Sequence, residues 1–302
     1  MNRTSGVIGK SMNIAQLLLE PFADYDFMRF ALCSIVFLAV GAAPVGVFLM
    51  MRRMSLVGDA LGHAILPGAA VGYMLAGLSL PAMSIGGFMA GLLMALLAGL
   101  ASRFANVRED ASFAAFFLTC LALGVVLVSR GGNSVDLLNL LFGSILSVDR
   151  AALTLVAIVS SITMVVLAVI YRPLMLESID PLFLRSVNGK GTLWHIIFLI
   201  LVVLNLVSGF QALGTLMSVG LMMLPAISAR LWHRTMGGMM TIAAIIAVVC
   251  GYIGLLLSYY IDLPSGPAII LCCGFVYILS LFVGSESGIL WRLYRRQRHH
   301  VA

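Results

Sequence analysis

Long apolar stretches separated by short polar connections make up most of this chain. Each stretch is close to the roughly 20 residues that an α-helix needs to cross the hydrocarbon core of a bilayer. No polar block is long enough to fold as a separate domain. The pattern therefore predicts an all-α polytopic membrane protein with about 8–9 transmembrane helices. The stretches are residues 28–51, 54–78, 82–102, 111–129, 151–171, 193–209, 212–232, 241–261 and 266–283.

The two ends of the chain differ from this apolar region. Residues 1–27 are more polar, and we expect an extracytoplasmic tail followed by a surface helix. Residues 28–290 form the expected transmembrane domain. Residues 291–302 contain several arginines and predict a basic cytoplasmic tail.

The composition excludes several other classes of protein. Hydrophobic residues make up 62% of the chain and charged residues only 10%, which no soluble domain matches. The net charge of +6 does not indicate nucleic-acid binding, because the basic residues lie at the ends of the apolar stretches instead of in one patch. All five cysteines lie within apolar stretches and none has CxxC spacing, so we expect reduced, buried thiols.

The basic residues also predict the orientation in the membrane. When the connections are assigned alternately to the two sides, 13 of the 18 Lys and Arg residues fall on the side of the C-terminus. Cytoplasmic loops carry the excess of positive charge. We therefore expect a cytoplasmic C-terminus and an N-terminus outside.

The second apolar stretch contains the most informative pair of residues. Asp59 and His63 are four residues apart, so on a helix they lie on the same face. Ionisable side chains inside a membrane helix are costly and usually face a cavity or a partner. An oxygen and a nitrogen ligand one turn apart suit a divalent cation such as Zn²⁺ or Mn²⁺. We expect Pro67-Gly68, just beyond, to break this helix and free backbone carbonyls.

Two side-chain ligands are too few to close a metal site. A second copy of the chain, water, freed carbonyls or polar groups such as Asn205 and Gln211 are the candidates to complete it. The alternative is a structural hydrogen-bonded pair that ties two helices together. Neighbouring small-x₃-small patterns, such as Gly58-x₃-Gly62 and Gly68-x₃-Gly72, predict close helix packing next to the pair.

The longest connection on the basic side spans residues 172–191. Within it, Asp180-Pro181 is a typical helix start, with Asp as N-cap and Pro at the first helical position. Asn188-Gly189 is a typical helix stop. We interpret the intervening two turns, which include Phe183, as a docking helix for a cytoplasmic partner; the alternative is a surface loop packed on its own helices.

Several short segments together resemble the permease subunits of bacterial ATP-binding-cassette (ABC) importers for zinc, manganese and sometimes iron. The similarity extends from about residue 18 to 280. It rests on the joint order and spacing of the segments, since each is short. The matching segments are Glu20-Pro21-Phe22, Asp26-Phe27-Met28-Arg29, residues 52–68, Arg108-Glu109-Asp110, residues 141–146, residues 180–189, Leu224-Pro225-Ala226, Ala229-Arg230 and residues 258–268.

The resemblance implies a type II ABC-importer-like permease in the bacterial inner membrane. It places Asp59 and His63 on the metal path, with Zn²⁺ or Mn²⁺ as cargo and no permanently bound cofactor. It implies a homodimer with a second permease copy, two cytoplasmic ATPase subunits, an extracytoplasmic metal-binding protein, surrounding lipid and no nucleic acid. The residues that match the ATPase-coupling helix of such permeases are Asp180, Pro181, Phe183, Leu184 and Gly189.

Three other functions stay open at this point. A permease for a metal chelate of the cobalamin or siderophore type shares the ABC architecture, although two buried ligands favour a bare ion. A proton-coupled secondary metal transporter needs no ATPase, which the docking-helix pattern argues against. An intramembrane enzyme needs a third catalytic group, and the apolar stretches contain no evident one. The sequence has no G-x₄-GK[ST] phosphate-binding loop, so we expect ATP hydrolysis to reside in a separate subunit.

Overall fold

The computed structural model describes residues 14–77, 79–104, 109–130, 148–179, 191–261, 263–286 and 288. Within these ranges the chain forms ten α-helices and no strand. The helices are α1 Ile14–Asp24, α2 Asp26–Met51, α3 Ser55–Ala76, α4 Leu80–Phe104, α5 Glu109–Arg130, α6 Arg150–Ile179, α7 Gly191–Leu213, α8 Thr215–Arg230, α9 Met236–Ile261 and α10 Ser265–Val283.

The predicted all-helical membrane architecture is confirmed. Among the described residues, six helices are long and apolar enough to cross a bilayer, namely α2, α4, α6, α7, α9 and α10. The helices α3, α5 and α8 correspond to three further predicted stretches but fall outside that group. The predicted count of 8–9 spans is therefore not reproduced by length and hydropathy alone.

The core of the bundle is formed by α2 and α7. In the most apolar window of each of these helices, 72% of the residues are buried, compared with 28% for α6 and α10. The helix α2 packs against α6, α8 and α9 and also contacts α7. Its second half, residues 41–50, is buried throughout. This helix is apolar on all sides because other helices surround it, whereas α6 and α10 leave broad apolar faces for lipid.

The helices α3, α4 and α5 pack mainly on one another. Small residues allow this contact: a Cβ on Gly68 would overlap the backbone of Gly86, and a Cβ on Gly72 would overlap the backbone of Ala82. On its other side α3 approaches α8, where Gly58 and Gly62 face Met222 and Val219. The small-x₃-small patterns of α3 are therefore helix-packing surfaces, as predicted.

The expectation that Pro67-Gly68 breaks the second transmembrane helix is wrong. The helix α3 is continuous from Ser55 to Ala76 with Pro67 inside it. Proline removes one backbone hydrogen bond, but packing on both sides holds the helical path: Pro67 lies against Gly124 of α5, and Gly68 lies against Gly86 of α4. The carbonyl of His63 nevertheless loses its usual partner, because Pro67 has no N–H.

The helix α6 is longer than the predicted stretch 151–171. It continues through Pro173 to Ile179, so the connection that follows is shorter than the predicted 172–191. Tertiary contacts stabilise the added turns: Tyr171 packs edge-to-face on Phe48 with ring centroids 6.0 Å apart, and Leu174 is fully buried. The extension brings Glu177 against the bundle.

Candidate functional site

The helix α3 brings Asp59 and His63 together, as their spacing predicts. Nε2 of His63 lies 3.7 Å from Oδ1 of Asp59. The two side chains are thus stacked one turn apart on a single face. The two atoms are close neighbours, but their separation is longer than a hydrogen bond.

The pair lies on a cavity of about 290 Å³ between α3, α8 and α10. One water molecule occupies about 30 Å³ in the liquid, so the cavity has room for several waters or a partly hydrated ion. Most of the lining atoms are apolar, and the polar groups are concentrated at Asp59, His63 and Thr215. The lining residues are Asp59, Gly62, His63, Thr215, Leu216, Val219, Gly220 and Ile270.

The imidazole of His63 is held on one side by an aromatic ring. It packs edge-to-face on Phe117 of α5, with ring centroids 5.3 Å apart. Its Nδ1 atom is buried and has no hydrogen-bond partner among the described residues. A buried polar atom without a partner costs about 1–3 kcal/mol. The ring is therefore positioned by packing, and its hydrogen-bonding capacity is not used up by the protein.

Asp59 is more open than its partner. Its side chain is 58% exposed on the single chain, compared with 28% for His63. Leu56, one turn earlier on the same helix, is also strongly exposed. Placing a carboxylate against lipid tails costs free energy, whereas placing the side chain of Leu56 there does not. This face of α3 therefore requires water or another protein surface against it.

The described part of the chain provides no complete metal site. It contains no group of at least three His, Cys, Asp or Glu side chains that could hold a metal ion. Asn205, which the sequence suggested as an additional ligand, does not line the cavity. Its Nδ2 donates instead to Thr163 Oγ1 and to the carbonyl of Leu201, both at 2.8 Å. Gln211, the other suggested ligand, does not line the cavity either.

Sequence reasoning missed the lining contributed by α8 and α10. Thr215 and Val219 lie four residues apart at the start of α8. The sequence around them is apolar and contains no charged residue that would mark a site. Gly220 lies so close to α10 that a Cβ there would overlap Ile270, but the sequence does not show this contact. The predicted coupling residues Asp180, Pro181, Phe183, Leu184 and Gly189 lie outside the described residues, as does the tail at 291–302.

A membrane-spanning helical bundle that presents a carboxylate and an imidazole to a cavity has the architecture of a polytopic permease. The family model described as the ABC 3 transport family matches residues 24–284. This match covers most of the chain, so the chain belongs to the ABC 3 transport family.

Individual relatives are similar over nearly their whole length. The manganese transport system membrane protein MntC of Listeria monocytogenes is 30% identical over 275 residues, which are 91% of this chain and 97% of MntC. The chelated iron transport system membrane protein YfeC of Yersinia pestis is 29% identical over 287 residues, which are 94% of this chain and 96% of YfeC. Among solved structures, PsaBC from Streptococcus pneumoniae in complex with Fab is similar with a TM-score of 0.81 and 26% identity. This match covers 94% of this chain and 100% of that one.

Proposed function

We propose that this chain is the permease subunit of an ATP-driven importer that moves a divalent transition metal across the bacterial inner membrane. Mn²⁺ is the first candidate, since the similar MntC is named for manganese transport. Zn²⁺ is the second. The observation that carries the proposal is the Asp59–His63 pair on a cavity, in a chain of the ABC 3 transport family.

The geometry of the pair supports contact with a bare ion. Ligand bonds of Zn²⁺ to carboxylate oxygen and imidazole nitrogen are about 2.0–2.2 Å long. An ion between Nε2 of His63 and Oδ1 of Asp59 therefore fits a separation of 3.7 Å with little movement of either side chain. Carboxylate and imidazole together suit both Mn²⁺ and Zn²⁺. A site with two side-chain ligands is weak, which favours passage of the ion over storage.

A second copy of the chain completes the site in this proposal. The open face around Asp59 needs a protein or water surface, and a homodimer supplies both a wall and a second pair of ligands. Closed two-fold dimers are the commonest symmetric assembly. The alternative is a water-filled path in which hydration completes the coordination of the ion.

Energy comes from separate subunits in this proposal. Two cytoplasmic ATPase subunits dock on residues 180–189 through Asp180, Pro181, Phe183, Leu184 and Gly189. An extracytoplasmic metal-binding protein delivers the ion on the other side. Residues 1–27 face outwards, residues 28–290 form the permease domain with about 8–9 spans, and residues 291–302 are cytoplasmic. No permanently bound cofactor is required.

The test is metal uptake by the complete importer in proteoliposomes, with and without ATP. The wild-type complex should accumulate Mn²⁺ or Zn²⁺ only when ATP is present. Asp59→Asn keeps the size of the side chain but removes its charge, and it should reduce uptake per folded complex by at least about tenfold. Asp149→Asn is the matched control: Asp149 caps α6 through the backbone N–H of Ala152 at 2.8 Å, and Asn caps equally well. Normal uptake by Asp59→Asn would remove the pair from the metal path.

A chelate permease is the second candidate, because the similar YfeC is named for chelated iron. The same assay separates the two. Uptake of the bare ion that stops when a strong chelator is added supports the first proposal, and uptake that requires a chelator supports the second. Uptake driven by a proton gradient without ATP would instead indicate a secondary transporter.

A further inference from the structure

The guanidinium of Arg52 is the centre of a buried polar cluster at one end of the bundle. Its Nη2 donates to Oε2 of Glu177 at 2.7 Å, and its Nε donates to Oγ of Ser178 at 3.2 Å. Its Nη1 lies 3.1 Å from Nδ1 of His195. The side chains of Arg52 and Glu177 are only 7% and 15% exposed. The guanidinium also lies 4.8 Å from the ring centre of Phe198.

This cluster joins three places in the chain that are far apart in sequence. Glu177 and Ser178 belong to the last turn of α6, and His195 belongs to the beginning of α7. They therefore flank the segment 180–190 on both sides. Arg52 directly follows α2 and begins the turn that leads into α3, the helix of Asp59.

The helices α2, α6 and α7 are also tied together deeper in the bundle. Asn205 of α7 donates to Thr163 of α6 at 2.8 Å. Gly41 of α2 lies so close to both helices that an added Cβ would be 2.7 Å from Oγ of Ser160 and 3.0 Å from Oδ1 of Asn205. At this level a hydrogen bond joins α7 to α6, and close packing at Gly41 adds α2, so the three helices pack as one group. In contrast, α3 packs mainly on α4 and α5.

The turn from α2 to α3 connects the group α2, α6 and α7 to the group α3, α4 and α5, and backbone hydrogen bonds fix its conformation. Arg53 has φ of 59°, in the left-handed region that non-glycine residues rarely adopt. The N–H of Arg53 donates to the carbonyl of Met50 at 3.1 Å, and that of Met54 donates to the carbonyl of Leu49 at 2.9 Å. The end of α2 is thus linked to the start of α3 by a hydrogen-bonded turn of three residues, Arg52 to Met54.

We propose that the Arg52–Glu177 pair transmits displacement of α6 and α7, at the ends that flank the segment 180–190, to α3 and thereby to Asp59 and His63. This inference rests on the proposed function, in which that segment docks on the ATPase. Arg52 and Glu177 are positioning residues, because they act on the ion through α3. Replacing a buried ion pair with apolar residues of similar volume is often neutral for stability, so a loss of coupling can be measured separately from a loss of stability.

The experiment measures metal ions imported per ATP hydrolysed by the reconstituted importer. The double variant Arg52→Met/Glu177→Leu replaces both charges with apolar side chains, so neither charge is left buried and unpaired. The ratio should fall about tenfold, while the melting temperature of the complex stays close to that of the wild type. The matched control is Arg234→Met/Glu286→Leu, which removes an ion pair between the α8–α9 connection and the residues after α10. The control should keep the wild-type ratio.

A milder variant decides the question if the double variant does not assemble. Arg52→Lys keeps the positive charge beside Glu177 but cannot contact Glu177, Ser178 and His195 at once, because lysine lacks the guanidinium fork. Arg52→Lys should lower the number of metal ions imported per ATP by a smaller factor than the double variant does. A wild-type ratio in an assembled double variant, or in Arg52→Lys, overturns this inference and leaves the proposed function standing. If the wild-type importer shows no ATP-driven metal uptake, both the proposed function and this inference are overturned.

Discussion

Gly68 of α3 and Gly86 of α4 face each other across a close helix contact near the candidate site. A Cβ on either residue would overlap the carbonyl oxygen of the other. This reciprocal contact lies one turn beyond His63 and holds α3 against α4 at the level of Pro67. Helices in membranes associate partly through van der Waals packing, and small residues strengthen this packing because they let the backbones approach closely.

The first prediction concerns this contact. Gly86→Ala should destabilise the folded protein by about 1–3 kcal/mol, because the added methyl group forces α3 and α4 apart. Gly99→Ala is the matched control on the same helix, since an added Cβ there meets no atom within 4 Å. The control should be neutral or slightly stabilising, because alanine favours the helix over glycine. Thermal unfolding in detergent measures both. Equal melting temperatures would contradict the role of the contact.

The second prediction concerns metal preference. Imidazole suits Zn²⁺, whereas carboxylate oxygens suit Mn²⁺ and other hard cations. His63→Asp should therefore raise the ratio of Mn²⁺ uptake to Zn²⁺ uptake by the reconstituted importer. Asp59→Glu, which keeps one oxygen and one nitrogen ligand, serves as the control and should leave the ratio close to the wild-type value. An unchanged ratio in His63→Asp would show that selectivity is set elsewhere, for example by the delivering protein.

The third prediction concerns the connection between α6 and α7. Phe183 is the apolar residue expected at the centre of the docking helix. Phe183→Asp should leave the permease inserted in the membrane but abolish metal-stimulated ATP hydrolysis by the assembled complex. Ser186→Asp introduces the same charge at a polar position and should have a weaker effect. Undiminished stimulation in Phe183→Asp would exclude this segment from coupling.

The fourth prediction concerns topology. The excess of Lys and Arg on the side of the C-terminus predicts that the C-terminus is cytoplasmic. A reporter that is active only in the periplasm should be silent when it is fused after Ala302, and the same reporter fused before Met1 should be active. The opposite pair of results would reverse the orientation of every connection.

The helical elements were predictable because they depend on local properties of the chain. Runs of about 20 apolar residues must form helices in a bilayer, where backbone groups have no water to bond with. All nine predicted stretches correspond to helices of the structure. The shared face of Asp59 and His63 was predictable for the same reason, since it depends only on the period of the α-helix.

The continuity of α3 was not predictable from its own residues. Pro67-Gly68 has the local composition of a break, and the sequence does not show that Gly124 and Gly86 lie on either side of it. The outcome depends on packing against α4 and α5, which overrides local preference.

The partners of the polar side chains were also decided by tertiary structure. Arg52 marks a membrane boundary in the sequence, but it contacts Glu177, which lies 125 residues away. Asn205 was a candidate ligand, but it bonds to Thr163 in the core. The sequence by itself determined which segments are helical, where charge enters them and that Asp59 and His63 share a face. Only the tertiary structure decided which helices meet, because contacts between distant segments depend on how side-chain shapes fit across helices and not on the period of any one helix.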